Sequence, residues 1–209
     1  FIGDDDIDNV TNELVNSKIV NEADAHLCFG NGYAVRRNII LYYALKNNMD
    51  YIIFMDDDEY PMAVTANNGS TLWSGQHVIE SHISALKFSD VTNGYHCGYI
   101  SPIPSIEFDN ILSEDTFKTF IEALSNDVLN WDSMKTIMEN GGVTYADKSV
   151  LINKKVSLVE EVSGAKFITG GNLGINLRDL AKVYPFYNPP GARGEDTFLS
   201  TCLTNSTVK

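Results

Sequence analysis

The chain has 209 residues, 44% of them hydrophobic, with a net charge of −13 and a pI near 4.5. That is enough apolar material for one domain with a real core. It excludes a duplex-binding surface, which needs clustered Lys and Arg, since the densest basic pairs are Arg36-Arg37 and Lys154-Lys155. No apolar run approaches the ~20 residues of a membrane span. Cys28, Cys97 and Cys202 are odd in number and widely spaced, without Cys-x-x-Cys. They suggest neither a disulfide framework nor a zinc site, but the reduced, buried thiols of a cytosolic protein.

In chain order, Phe1-Ile2-Gly3 reads as the end of a short strand, followed by acidic residues at Asp4, Asp5, Asp6 and Asp8. Asp8 or Asn9 caps a predicted helix to about residue 17, with Val10, Leu14 and Val15 inward. Lys18-Ile19-Val20 and Ala25-His26-Leu27-Cys28-Phe29 read as short extended pieces, the second closed by the turn signal Gly30-Asn31-Gly32. Val35, Ile39, Ile40, Tyr43 and Leu45 recur at helical spacing and predict a helix over 33–48. Tyr51-Ile52-Ile53-Phe54-Met55 is too short for a helix and does not alternate, so it reads as a strand buried on both faces. It runs straight into Asp56-Asp57-Asp58-Glu59, and Pro61 ends its pairing.

A polar loop to about residue 74 comes next, then a helix over 76–87 and a strand over 95–103 ended by Pro102 and Pro104. Helices are expected over 114–125 and 133–140, inside a helical insertion spanning 104–148. Residues 149–162 alternate weakly, as in a hairpin. Phe167-Ile168-Thr169 leads into Gly170-Gly171-Asn172, followed by a short helix over 177–183, an aromatic, proline-rich loop over 184–191 and a last helix over 195–203. The order strand–helix–strand–helix–strand in the first sixty residues predicts an α/β fold with a mainly parallel, doubly wound, Rossmann-like sheet and helices on both faces; the second half reads as mixed α+β.

Residues 56–59 carry the first chemical signal. Four adjacent carboxylates at the carboxyl end of a core strand stand where open α/β sheets place their ligands. They repel one another, and a divalent metal with hard oxygen ligands relieves that repulsion; a solvated acidic turn is the plainer alternative. Asp4-x-Asp6-x-Asp8 fails the calcium-loop template, because Asn9 stands where Gly is required and Val15 where the closing Glu belongs. There is no Gly-x-Gly-x-x-Gly, no Gly-x-x-x-x-Gly-Lys-Ser/Thr, no His-Glu-x-x-His and no nucleophile elbow. His26, His77, His82 and His96 therefore read as surface or core residues, and any phosphate must be held through a metal on Asp.

Phe54-Met55-Asp56-Asp57-Asp58 resembles the Asp-x-Asp motif of GT-A glycosyltransferases, particularly those of family 2. Gly30-Asn31-Gly32-Tyr33-Ala34-Val35-Arg36-Arg37-Asn38 resembles the family's Asn-x-Gly…Ala-Arg-Asn segment, and Asp4-Asp5-Asp6-Ile7-Asp8-Asn9 its acidic turn after the second strand, one residue short. Thr169-Gly170-Gly171-Asn172-Leu173-Gly174-Ile175 resembles the Gly-x-Asn segment on the acceptor side, and Gly194-Glu195-Asp196-Thr197-Phe198-Leu199 the Glu-Asp motif that opens a helix. The five matches occur in the family's order and span nearly the whole chain. The family's opening strand, ending in Pro-Thr-Tyr-Asn, is not found, and the family continues beyond the Glu-Asp helix where this chain stops. The resemblance thus implies one catalytic domain over 1–209 that lacks the first strand and the C-terminal end.

What the resemblance implies is a metal-dependent, inverting transfer of a sugar from a UDP- or GDP-sugar to a hydroxyl of a carbohydrate, lipid-linked or protein acceptor. Asp58, and more loosely Asp56, would hold Mn²⁺ or Mg²⁺ against the diphosphate, with Asp57 turned away. Asp4 and Asp6 would bind the base or ribose. Arg37 would approach the nucleotide or diphosphate, or else pair with a carboxylate of the cluster. Gly171 and Asn172 would line the acceptor side. Asp196 would be the general base and Glu195 would bind the acceptor or orient Asp196; plain acidity at a helix N-terminus is the competing account of that pair. The expected location is cytoplasmic, with the inner face of the membrane as an alternative. Two other functions fit the acidic clusters: a sugar nucleotidyltransferase, and a non-catalytic protein that binds a nucleotide-sugar or metal on the same fold.

Overall fold

The computed structural model describes residues 4–30, 32–68, 70–98, 108–124, 131–139, 142–152, 156–188 and 194–209. The strand end expected at residues 1–3 and residues 99–103 of the expected later strand lie outside them, as does the side chain of Asp4. The elements run α1 (Asp4–Asn16), α2 (Glu22–Phe29), α3 (Tyr33–Lys46), β1 (Tyr51–Met55), β2 (Met62–Asn67), β3 (Ser70–Gly75), α4 (Val78–Leu86), β4 (Val91–Asn93), α5 (Glu114–Leu124), α6 (Trp131–Glu139), β5 (Asn172–Asn176) and α7 (Glu195–Cys202). The class is mixed α/β. Two compact units divide the chain: Phe1–Glu59, His77–Gly94 and Val156–Lys209 form the first, Tyr60–Gln76 and Tyr95–Lys155 the second. Among the described residues no helix is long and apolar enough to cross a membrane.

The sheet of the first unit has the order β1-β5-β4, and both pairings are antiparallel. This corrects the expected mainly parallel, doubly wound sheet. Among the described residues the parallel pairing is a bridge between Val91 and Val208, where residues 207–209 run beside β4. The expectation failed because it needed strands at 18–20 and 25–29. Residues 17–20 instead form turns and bends, with Ile19 exposed. Residues 22–29 are helical because Asn21 caps them, its side chain accepting the Asp24 N–H at 2.9 Å. The acidic residues after residue 3 are likewise not a turn at a strand end. They open α1, where negative charge meets the positive end of the helix dipole.

β1 also differs from the expectation of full burial. It stands at the edge of the described sheet, so Ile52 and Phe54 are buried while Met55 is exposed. The core on that face joins Ile52, Phe54, Leu173 and Ile175 to Ala34 and Leu41 of α3, Leu199 of α7, and Phe186. α3 is packed on two sides: Ala34 and Leu41 meet this core, whereas Ile39 meets Val10 and Leu14 of α1. Arg37 and Asn38 fall on the sheet-facing stripe, at i+3 and i+4 from Ala34. Asn38 is 3% exposed and ties the 184–188 loop down: it accepts the Phe186 N–H at 2.8 Å and donates to Phe186 O at 2.8 Å.

β5 follows the glycine turn in a stretch for which no element was expected, and the expected helix over 177–183 shrinks to a 3₁₀ turn at Leu180–Lys182. Residues 95–98 of the expected later strand are not in one; the strand there is β4, three residues long. In the second unit, the expected polar loop is the hairpin β2–β3, with Asn67 opposite Ser70 and Asn68 at φ +46°. α5 and α6 stand where helical spacing predicts them, and pack Phe117 and Ile121 on Trp131 and Met134. The expected hairpin over 149–162 contains a 3₁₀ turn, Lys148–Leu151, and a bridge from Val162 to Ala165. The thiols form no disulfide; Cys28 and Cys97 are partly buried and Cys202 is exposed, since it closes α7 on its solvent side.

Candidate active site at one edge of the sheet

Because β5 runs antiparallel between β1 and β4, those two strands point the same way. The C-terminal ends of β1 and β4 and the N-terminal end of β5 therefore share one edge: Met55 pairs with Asn172, and Asn93 with Leu173. The turn over 169–172 is held from both sides there. The Asp56 N–H donates to Gly171 O at 3.0 Å, and the Gly94 N–H to Asn172 O at 2.7 Å. Asn93 Nδ2 donates to Thr169 O at 3.0 Å and to Asn172 O at 3.1 Å.

Arg37 reaches this edge from α3. Its Nε donates to Glu195 Oε1 at 3.1 Å, Nη1 to Gly170 O at 2.8 Å, and Nη2 to Asp56 Oδ1 at 3.4 Å. One guanidinium thus joins the acidic turn, the glycine turn and the start of α7, and its partner Glu195 lies 158 positions away in sequence. A planar fork of five donors on three nitrogens suits this task better than the single nitrogen of a Lys ammonium. The guanidinium carbon also lies 5.2 Å from the Phe54 ring centroid and 5.6 Å from that of Phe186, so aromatic faces back the charge. The Arg37–Glu195 pair is nearly enclosed, with side chains 15% and 11% exposed, while Asp56 is 50% exposed.

Asp196 takes up the other side of Gly170. Its Oδ2 accepts the Gly170 N–H at 3.1 Å and Oδ1 accepts the Thr197 N–H at 2.8 Å. Each oxygen keeps lone-pair capacity beyond that bond, and the residue is partly exposed. Main-chain closeness is what the two glycines provide. A Cβ on Gly170 would stand 2.7 Å from Arg37 Nη2; one on Gly171 would stand 2.8 Å from Asp56 Oδ2 and collide with Glu59 Oε1. Glu59, the last of the four carboxylates at 56–59, is thereby part of the cluster that packs on the glycine turn.

Asp56, Asp57 and Asp58 are all exposed at the mouth of this arrangement. Among the described residues no group of three or more His, Cys, Asp or Glu side chains converges as an all-protein metal cage. Mg²⁺-type sites on nucleotides need less: one or two carboxylates suffice when substrate phosphates complete the shell. Asp56 and Asp58, two positions apart in sequence and both exposed, have the donor chemistry of that kind of site. Of the residues named here, Arg37 alone is cationic, against Asp56, Asp57, Asp58, Glu59, Glu195 and Asp196.

The structure thus brings together Arg37, Asp56, Glu195, Asp196 and the 170–172 turn. It sets Asp6 on the first turn of α1, the helix that packs on the Ile39 side of α3. Asn172 turns its side-chain oxygen to His82 Nε2, 2.6 Å away. The α3 N-terminus is capped from a distance, Asn188 Oδ1 accepting the Ala34 N–H at 2.7 Å. Neither Asn188 nor Asn93 has a sequence signal, since both act through long-range packing. Comparison with protein-family models, with curated proteins and with solved structures returned no match.

Proposed function

We propose that this chain transfers a sugar from a nucleoside-diphosphate sugar to an acceptor hydroxyl, in the manner of the GT-A glycosyltransferases its motifs resemble. One observation carries the reading: Arg37 draws the Asp-x-Asp turn, the glycine turn and the Glu-Asp helix start to a single sheet edge. Three of the motifs that suggested the resemblance lie far apart in sequence and meet there.

In this reading Asp58 and Asp56 hold Mn²⁺ or Mg²⁺, which when bound neutralises charge on the diphosphate leaving group. Asp196 accepts the proton of the acceptor hydroxyl as that oxygen attacks the anomeric carbon. Its bond from the Gly170 N–H fixes the carboxylate, and Glu195, locked on Arg37, fixes the first turn of α7 that carries it. Arg37 keeps the surplus of carboxylates from repelling the site apart, and it stands ready to offer Nη2 to a phosphate, because its contact with Asp56 is the longest of the three.

The test is to incubate the protein with Mn²⁺ and a panel of UDP- and GDP-sugars and to follow release of nucleoside diphosphate. Release that disappears in Asp58→Ala supports the proposal. Pyrophosphate release from a nucleoside triphosphate would support a nucleotidyltransferase instead. A calorimetric blank for every nucleotide with Mn²⁺ present would leave only a non-catalytic role.

A further inference from the structure

We infer that His82 is a positioning residue for this reaction, acting through Asn172 on the turn that anchors both Arg37 and Asp196; the inference rests on the transfer activity proposed above. His82 lies on the inner face of α4 and is 5% exposed. Both ring nitrogens are engaged at 2.6 Å, Nδ1 with Thr92 Oγ1 on β4 and Nε2 with Asn172 Oδ1 on β5. A carboxamide oxygen only accepts, so Nε2 carries the proton, and in the neutral ring Nδ1 accepts from the Thr92 hydroxyl.

The space for this ring is built into the sheet. Gly174 stands opposite Thr92 in the ladder, and a Cβ there would lie 3.0 Å from His82 Nδ1 and collide with Thr92 Oγ1. Asn93 grips the same turn at its main chain, with Nδ2 shared between Asn172 O and Thr169 O and Oδ1 facing the Thr169 N–H at 3.4 Å. The turn is therefore clamped by the His82 imidazole and the Asn93 carboxamide. It delivers Gly170 O to Arg37 and Gly170 N–H to Asp196. A small shift of residue 172 moves both anchors at once, and a misplacement of about 1 Å at a reacting group costs on the order of 10²-fold in rate.

The test compares two isosteres, each retaining one of the two bonds. In His82→Gln the amide nitrogen reaches the Nε2 position and retains the bond to Asn172. In His82→Asn the side chain reaches only the Nδ1 position and retains the bond to Thr92. Mn²⁺-dependent release of nucleoside diphosphate from the UDP- and GDP-sugar panel is measured for both, with the folded fraction matched by circular dichroism. His82→Gln should stay within about tenfold of wild type, and His82→Asn should lose on the order of 10²-fold in kcat at similar KM. Equal rates in the two variants, with wild type active, would reduce His82 to packing and overturn the inference alone. A wild-type protein without turnover would overturn the activity and this inference with it. Nitrogen-15 NMR of the wild-type protein needs no variant to fold: it should show the Nε2–H tautomer at His82, and the Nδ1–H tautomer would refute the proposed bond.

Discussion

Both units of the chain carry exposed ion pairs, Lys46–Glu13 and Arg178–Asp50 among those of the first, but among the described residues the first also encloses one. In the first, a guanidinium and a carboxylate are drawn into an apolar surround, Arg37 and Glu195 beside Phe54 and Phe186. In the second, the core of Phe117, Ile121, Trp131 and Met134 is purely apolar, and the ion pairs Lys135–Glu114 and Lys118–Glu122 lie on exposed helix surfaces. Exposed pairs contribute little, because water screens them and two long side chains must be held still. An enclosed pair is costly to desolvate and must be completed by further bonds, as Arg37 is by Gly170 O. Stability alone rarely calls for such a pair, so it singles out this edge of the first unit as the candidate site.

The contrast can be broken most sharply at Asp196. Asp196→Asn should retain binding of Mn²⁺ and nucleoside diphosphate by calorimetry but lose ~10²- to 10⁴-fold in transfer, since proton removal is lost. A rate near wild type would remove Asp196 from the reaction. Next in size, Arg37→Leu leaves Glu195, 9% exposed, without its counter-charge. It should destabilise the fold by about 3–5 kcal/mol in urea unfolding, with part recovered by adding Glu195→Gln. A loss under about 1 kcal/mol would mean that the pair behaves like a surface one.

Phe117→Ala addresses the second core and should cost about 3 kcal/mol. Hydrogen exchange should then rise in α5 and α6 while β1 and β5 keep their protection; an equal rise in both would show that the two cores open together. The smallest effect concerns acid. The Ser149 N–H holds the Asp147 carboxyl below its usual range, as the Leu112 and Ile111 N–H groups do for Asp109. A lowered folded-state pKa gives stability that is present above the ordinary value and lost as pH falls through the lowered one. The melting difference between wild type and Asp147→Asn should thus hold from neutral pH down to about pH 4 and shrink below it.

Helical periodicity was readable wherever one stripe faces a core: α3, α4, α5, α6 and α7 stand close to their expected places. Short elements were not. Leu27-Cys28-Phe29 looks extended by itself, and only the Asn21 cap betrays the helix. Asn68-Gly69 is a hairpin signal that the polar flanks of β2 and β3 obscured. Strand direction had no local signal, because β5 pairs with residues far away in the chain. At the site, types and order were legible from the motifs. The partner of Arg37 was left between phosphate and carboxylate, and the structure gives it Asp56 and Glu195. The contacts of Asn93 and His82 could not be seen in advance, since each is made only where the turn at 169–172 comes to rest.

The seat of β5 between β1 and β4 also sets the timetable of folding. α1, α2 and α3 contact one another as near neighbours in the chain and can associate as soon as they are made. β1 and its acidic turn are made well before residues 172–176, the ladder partner of β1 among the described residues. Closing so long a loop is slow, because entropy is lost before any contact rewards it. Arg37 must wait longer still for Glu195, 158 positions downstream. The carboxylates of residues 56–59 therefore gain the glycine turn and Arg37 its enclosed partner only after residues 170–195 have been made.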